Sequence, residues 1–100
     1  MEKILQKAIQ AHESGNFLKA KKLYKQIIKL NPRNAVANYN LGIIYQNNNG
    51  LLKALNFFKI ALEANPSSLQ YWLTYVDGLI KAELFDDALS TLNHAKKIQL

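Results

Sequence analysis

The sequence has no cysteine, only two prolines and four glycines, and seven acidic residues against thirteen basic ones. Without cysteine, neither a disulfide framework nor a thiolate metal site can form. No apolar run approaches the roughly 18 residues that a membrane-spanning helix needs, and charge begins at the second residue. We therefore expect a cytoplasmic protein without a membrane segment. Because 49% of the 100 residues are hydrophobic, the chain is expected to fold as one domain, 1–100.

The net charge of +6 is concentrated in the first third of the chain. Residues 1–34 hold eight bases and two acids, whereas residues 35–68 and 69–100 are each close to neutral. Part of this excess falls on one side of a predicted helix, at ~100° per residue. The lysines on that side are Lys21, Lys22, Lys25 and Lys29. Such a face usually keeps a protein soluble, and an electrostatic partner would bind there.

A pattern of small, aromatic and proline residues recurs every 34 residues. Three of its columns are Ala20, Ala54 and Ala88; Tyr24, Phe58 and Leu92; and the prolines Pro32 and Pro66. Self-similarity at a fixed period of this length indicates a repeat architecture. The predicted repeats are 1–34, 35–68 and 69–100.

Each repeat is predicted to contain two helices joined by a short turn. Apolar spacing predicts helices at about 2–13, 17–30, 35–48, 51–64, 69–82 and 85–98. Gly15 and Gly50 mark the first two turns, and because Gly50 lies one place later in its repeat, the second turn is expected to differ slightly. Glu83 stands where the third turn should have glycine, which predicts backbone strain. The predicted fold class is all-α, with three antiparallel helix pairs stacked by repetition.

The middle repeat resembles the tetratricopeptide repeat. The matching residues are Leu41, Gly42, Tyr45, Ala54, Phe58, Ala61 and Pro66, and Trp72 supplies the tryptophan of the pattern in the third repeat. Ala8 and Val76 stand where the pattern usually has glycine or another small residue, so neither matches Gly42. The resemblance implies a right-handed superhelix, or α-solenoid. In it, Gly42 would allow close helix approach, while Tyr45, Phe58 and Trp72 would fill the space between helix pairs.

The resemblance further implies that the first helices of the repeats line a concave groove. The candidate peptide-binding residues are Leu5, Ile9, His12, Tyr39, Asn40, Ile43, Gln46, Asn47, Leu73, Thr74, Asp77 and Lys81. Apolar residues with amides and hydroxyls between them suit a bound peptide. The alternative is that the apolar ones are half-covered by neighbouring helices. Among these residues, Tyr39, Asn40, Ile43, Gln46 and Asn47 are predicted to be the outward-facing ones of the middle repeat.

The leading functional prediction is a non-catalytic scaffold that binds a protein or peptide segment in the groove. Only Asn40 matches the carboxylate-binding residues of chaperone-binding tetratricopeptide repeats, so that ligand is not expected. His12 and His94 lie in distant repeats and no catalytic motif occurs. We therefore expect no enzyme activity, cofactor or metal.

Two other functions stay open. Residues 71–81 resemble bacterial tetratricopeptide repeat proteins whose arrays precede glycosyl-, sulfo- or methyltransferase domains. That resemblance implies a substrate-recruiting array of a larger enzyme. A nucleic-acid-binding module would use the lysines of the first repeat, but such modules usually place exposed aromatic residues among the bases, and Phe17 and Tyr24 fall in packing columns here.

The last helix keeps the apolar columns that would meet a further repeat. The residues concerned are Leu92, Ala95, Ile98 and Leu100. Terminal repeats usually have a polar outer face. We therefore predict that this face is covered by a second copy of the chain, forming a homodimer, or by further repeats of a longer protein.

Overall fold

A computed structural model describes residues 2–100, which form six α-helices and no β-strand. The helices are α1 Glu2–Glu13, α2 Phe17–Leu30, α3 Ala35–Asn47, α4 Leu51–Ala64, α5 Leu69–Lys81 and α6 Phe85–Lys97. Each helix packs mainly against its neighbours along the chain, so the three helix pairs form a stack measuring 36 × 26 × 21 Å. The predicted all-α fold class is confirmed. No helix in residues 2–100 has both the length and the apolar character needed to cross a membrane.

Side-chain caps begin three of the helices. The backbone N–H of Lys19 donates to Asn16 Oδ1 at the start of α2, at 3.3 Å. Asn34 accepts in the same way at the start of α3, and Ser68 at the start of α5. Asparagine and serine are favoured at this position because their short side chains reach backbone donors that have no partner within the helix.

The turns inside the three repeats share one backbone geometry. The residue at the fifteenth position of each repeat has a positive φ: 83° at Gly15, 64° at Asn49 and 60° at Glu83. The next N–H donates to the carbonyl five residues earlier in every case, at 2.7–2.8 Å, as in a Schellman motif. The expectation that Gly50 alters the second turn is wrong, because Asn49 takes the left-handed position, which asparagine tolerates. Glu83 also adopts the left-handed conformation, which strains the backbone of a residue with a side chain, as its position predicts.

The core runs along the whole stack as three adjoining clusters of buried side chains. Its largest fully buried residues are Tyr24, Phe58, Ile27, Leu41 and Asn38. Two glycines allow helices to approach closely. A Cβ at Gly42 would lie 2.6 Å from Phe58 Cε1, and one at Gly78 would lie 2.8 Å from Leu55 Cδ2. The predicted role of Gly42 in close approach is confirmed.

Equivalent positions in the second and third repeats make the same contact with different side chains. Trp72 Nε1–H donates to the Pro66 carbonyl at 2.7 Å. Asn38, 34 residues earlier, donates from Nδ2 to the Pro32 carbonyl at 3.1 Å. Each bond ties the first helix of a repeat to the proline that precedes it. Tyr45 is half-buried and packs against both the cluster around Tyr24 and the cluster around Phe58, which agrees with its expected place between helix pairs.

Candidate functional site

The structure joins predicted groove residues of α1, α3 and α5 by hydrogen bonds. The Tyr24 hydroxyl of α2 lies 3.3 Å from His12 Nδ1 and accepts a hydrogen bond from Asn40 Nδ2 at 3.1 Å. The Tyr39 hydroxyl lies 3.0 Å from Thr74 Oγ1. These polar groups therefore hold successive repeats together.

The Tyr24 hydroxyl is the centre of the first of these networks. Burial raises the pKa of the Tyr24 phenol, more than the hydrogen bond from Asn40 lowers it. The phenol is therefore neutral around pH 7, and a neutral hydroxyl can both donate and accept a hydrogen bond. His12 also lies edge-on to the Tyr24 ring, with centroids 5.9 Å apart. This contact links α1, α2 and α3 through a single side chain.

Tyr39 and Asn40 have partners within the chain that the sequence did not predict. Both are half-buried, and the polar atoms described above already have partners within the chain. The Tyr39 ring stacks on Tyr71 with centroids 4.7 Å apart. The helical period predicts in which direction a side chain leaves its helix, but not whether a long side chain reaches a neighbouring helix.

Gln46 is a predicted groove residue with an unusual environment. Its Oε1 atom is buried and has no hydrogen-bond partner among residues 2–100. Gln46 is equivalent to His12 in the first repeat, while Phe58 is equivalent to Tyr24. The second repeat therefore has no hydroxyl equivalent to the Tyr24 hydroxyl that contacts His12.

Three apolar groove residues are half-buried against the core. Leu5 and Ile9 pack on the cluster around Tyr24, and Ile43 packs on the cluster around Phe58. For these three residues the structure agrees with the alternative expectation, in which neighbouring helices half-cover the apolar residues of the groove. Their packing on the core supports the fold.

The exposed large apolar side chains of this face lie mainly on α5. Leu69, Leu73 and Ile80 are 54%, 58% and 47% exposed, and their spacing places them in one stripe along the helix. We call these three residues the α5 row. Asp77 and Lys81 are exposed beside it and form an ion pair of 3.0 Å. Leu69 was not among the candidate residues, although its distance of four residues from Leu73 could have identified it.

A cavity of about 360 Å³ opens away from the predicted groove residues, between α4, α5 and α6. Its walls include Trp72, Tyr75 and His94, with carboxylates from Glu63 and Asp87. Burial, and then the charges of Asp87 and Glu63, raise the pKa of the Tyr75 phenol. The sequence did not predict this cavity because three helices from two repeats must be in place before it exists.

The end of the stack exposes apolar side chains, as predicted. Leu92, Ile98 and Leu100 are exposed. Ala95 is half-buried and packs on the core cluster around Trp72, so it contributes little to this surface. Within the described residues, no three or more His, Cys, Asp or Glu side chains are grouped so that they could hold a metal ion.

Residues 23–56 match a family model described as tetratricopeptide repeat. A search of curated protein sequences finds no match to this chain. The matched segment runs from the second helix of the first repeat into the second helix of the middle repeat. It includes Leu41, Gly42, Tyr45 and Ala54, whereas the other residues of the resemblance, Phe58, Ala61, Pro66 and Trp72, lie beyond its end.

Several solved structures have the same fold at low sequence identity. An O-GlcNAc transferase of Thermobaculum terrenum superposes with a TM-score of 0.80 at 19% identity, over 98% of this chain and 19% of the transferase. The TPR2B domain of yeast Sti1, in complex with pHsp70, gives 0.79 at 20% identity, over 96% and 77%. The Yersinia enterocolitica type III secretion translocator chaperone SycD gives 0.81 at 17% identity, over 96% and 66%. The chain thus spans about a fifth of the transferase, and these likenesses show the fold alone.

Proposed function

We propose that this chain, which is a tetratricopeptide repeat protein, binds a peptide segment on the face formed by α1, α3 and α5, without catalysis. The tetratricopeptide repeat fold supports protein-interaction scaffolds. The observation that supports this is the α5 row, where three large apolar side chains are exposed side by side. Apolar contacts flanked by polar groups suit an extended or helical peptide. The yeast Sti1 domain, described in complex with pHsp70, has a similar fold.

The proposed contact residues are those that the fold leaves exposed. Leu73 and Ile80 would hold apolar side chains of the peptide. Asn47 of α3 and the Asp77–Lys81 pair would contact its polar groups. Tyr39 and Asn40 would act indirectly, by holding α3 against its neighbours.

The test is a selection of peptides from a random display library on the wild-type protein. The double variant Leu73→Ser, Ile80→Ser is expected to bind the selected peptides at least about tenfold more weakly, a loss of roughly 1.4 kcal/mol or more. The control is Leu18→Ser, Leu52→Ser, which changes residues 81% and 69% exposed on α2 and α4. Equal weakening in both variants, or no enriched peptide, would contradict the proposal. Circular dichroism establishes that both variants fold.

A second candidate is a substrate-recruiting array belonging to a larger transferase. The likeness to the Thermobaculum terrenum O-GlcNAc transferase, of which the chain covers 19%, favours it. Sequencing the reading frame beyond Leu100 is the direct test. A transferase domain downstream supports this candidate, and a stop codon directly after Leu100 removes it.

We also propose that the exposed apolar residues at the end of the stack pair with a second copy of the chain. Leu92, Ile98 and Leu100 support this because a patch of such residues is unusual on a free surface. Light scattering over a range of concentrations is expected to detect dimers. A monomer mass that does not change with concentration would exclude this pairing.

A further inference from the structure

Three lysine ammonium groups converge on one tyrosine ring. The Nζ atoms of Lys21, Lys25 and Lys53 lie 4.8, 5.8 and 5.1 Å from the ring centroid of Tyr45. Lys21 and Lys25 are one turn apart on α2 of the first repeat, and Lys53 lies in the first turn of α4 in the second. The Tyr45 ring stacks in parallel on Phe57 at 5.4 Å, which holds it in place. We call these three lysines with Tyr45 the lysine cluster.

No carboxylate balances the lysine cluster. Within residues 2–100, none of its three ammonium groups forms an ion pair. The first two repeats contain only three acids, Glu2, Glu13 and Glu63. Glu13 acts on Tyr24 and Glu63 on Tyr75, so two of the three are placed at other parts of the stack. The cluster is therefore a site of uncompensated positive charge between two repeats.

The charge acts on the tyrosine itself. Partial burial alone would raise the pKa of the Tyr45 phenol, but the Lys25 ammonium and the charges of Lys21 and Lys53 lower it below its ordinary value. Attraction between an exposed ammonium and an aromatic ring is weak. The three like charges still repel one another, and a bound anion would relieve that repulsion.

We propose that the lysine cluster binds a phosphate group carried as a monoester or as free inorganic phosphate. A phosphomonoester has a charge of about −1.5 to −2 near pH 7 and three strong acceptor oxygens, one for each ammonium group. A carboxylate or a phosphodiester has a single negative charge and matches three cations less well. Lysine binds phosphate as a point charge, so flexible lysines on two helices can adjust around the ligand. This site shares no residue with the proposed peptide face and does not depend on it.

The test is an NMR titration at constant ionic strength with inorganic phosphate and, separately, with O-phosphoserine. Saturable shifts are expected in the resonances of Tyr45 and of the three lysine side chains. The triple variant Lys21→Gln, Lys25→Gln, Lys53→Gln should weaken binding at least about tenfold. The control Lys22→Gln, Lys29→Gln, Lys96→Gln removes the same charge from exposed lysines outside the cluster. It should leave the affinity within about twofold of the wild type.

A second readout follows the phenol. Bound phosphate offsets the positive field, so it should raise the pKa of Tyr45, as measured from its ring resonances. Equal weakening by the two triple variants, or shifts that never saturate, would overturn the proposal by reducing it to general charge attraction. A single-stranded oligonucleotide that binds through the cluster more tightly than O-phosphoserine would also overturn it, in favour of a phosphodiester ligand. The two phosphate compounds distinguish a free ion from an attached group.

Discussion

The first and second repeats each bury an aromatic ring at the same repeat position, but the two rings and the side chains beside them differ. In the first repeat the Tyr24 hydroxyl contacts His12 and receives a hydrogen bond from Asn40. In the second repeat Phe58 takes the place of the tyrosine, and Gln46 takes the place of the histidine. Gln46 Oε1 is buried there without a partner in the described part of the chain. The buried ring of the first repeat thus carries a hydroxyl that is the centre of a polar network, whereas the equivalent ring of the second repeat has no hydroxyl.

The same pair of repeats differs at the point of closest helix approach. Ala8 is fully buried in the first repeat, so that site has room for a Cβ. At the equivalent Gly42 of the second repeat, a Cβ would lie 2.6 Å from the Phe58 ring. A repeat position therefore specifies which elements meet, whereas the distance between them depends on the particular side chains. Four substitutions test this comparison.

The largest effect is expected from Gly42→Ala. The added Cβ would press on the rigid, fully buried Phe58 ring, and we expect a loss of stability on the order of 2 kcal/mol despite the better helix propensity of alanine. Urea unfolding followed by circular dichroism measures it. The reverse change Ala8→Gly should lose about 0.5–1 kcal/mol from helix propensity and about 0.8 kcal/mol from the removed buried methyl group, without any steric clash. An unchanged or higher stability for Gly42→Ala would show that the two repeats have the same spacing.

Tyr24→Phe should convert the first repeat to the chemistry of the second. Removing the hydroxyl leaves His12 and Asn40 without their shared partner, at a cost of about 1–1.5 kcal/mol. The cost should appear as a lower urea midpoint with an unchanged denaturant slope. A neutral result would mean that water replaces the hydroxyl fully.

The third turn extends the comparison, because Glu83 stands where the first repeat has Gly15. Glu83→Gly is expected to stabilise the protein by about 1 kcal/mol, since it removes a left-handed conformation that glutamate tolerates poorly. The effect should raise the melting temperature in a thermal scan. Asn49→Gly provides the control, with a smaller gain because asparagine adopts this conformation more readily. A larger gain from Asn49→Gly would contradict this account.

The smallest effect is expected from Phe58→Tyr. By equivalence with Tyr24, the new hydroxyl should reach Gln46 and supply the donor that its Oε1 lacks. The expected gain is about 0.5–1 kcal/mol, measured by the same urea titration. The double variant Phe58→Tyr, Gln46→Leu should lose the gain, because the acceptor is gone. Destabilisation in both backgrounds would mean that the hydroxyl points elsewhere.

Sequence reasoning predicted most of the fold because each repeat carries its own local signals. The apolar period placed the six helices to within about one residue at their ends, and Glu83 marked the strained turn. The second turn was mispredicted because Gly50 was assumed to be its left-handed residue, although Asn49 can adopt that conformation. Local chemistry was decisive in both cases, and the error arose from assuming that only glycine could serve.

The candidate site was less predictable. Leu73 is exposed on the predicted face, and Ile80 and Leu69 extend that surface. Tyr39 and Asn40 lie on the same face but bond to Thr74 and Tyr24. Whether such a side chain meets a neighbour depends on the separation of two helices, which the 34-residue pattern does not contain.

The sequence by itself determined the repeat length, the helices, the positions of the turns and the concentration of positive charge in the first third of the chain. These depend on the order of residues within a few turns. The tertiary structure decided that Tyr24 serves two partners, that Gln46 has none for its Oε1 within residues 2–100, and that Lys53 joins Lys21 and Lys25 at Tyr45. The physical reason is distance: hydrogen bonds and charge–charge contacts act over a few ångströms, and only the assembled stack sets those separations.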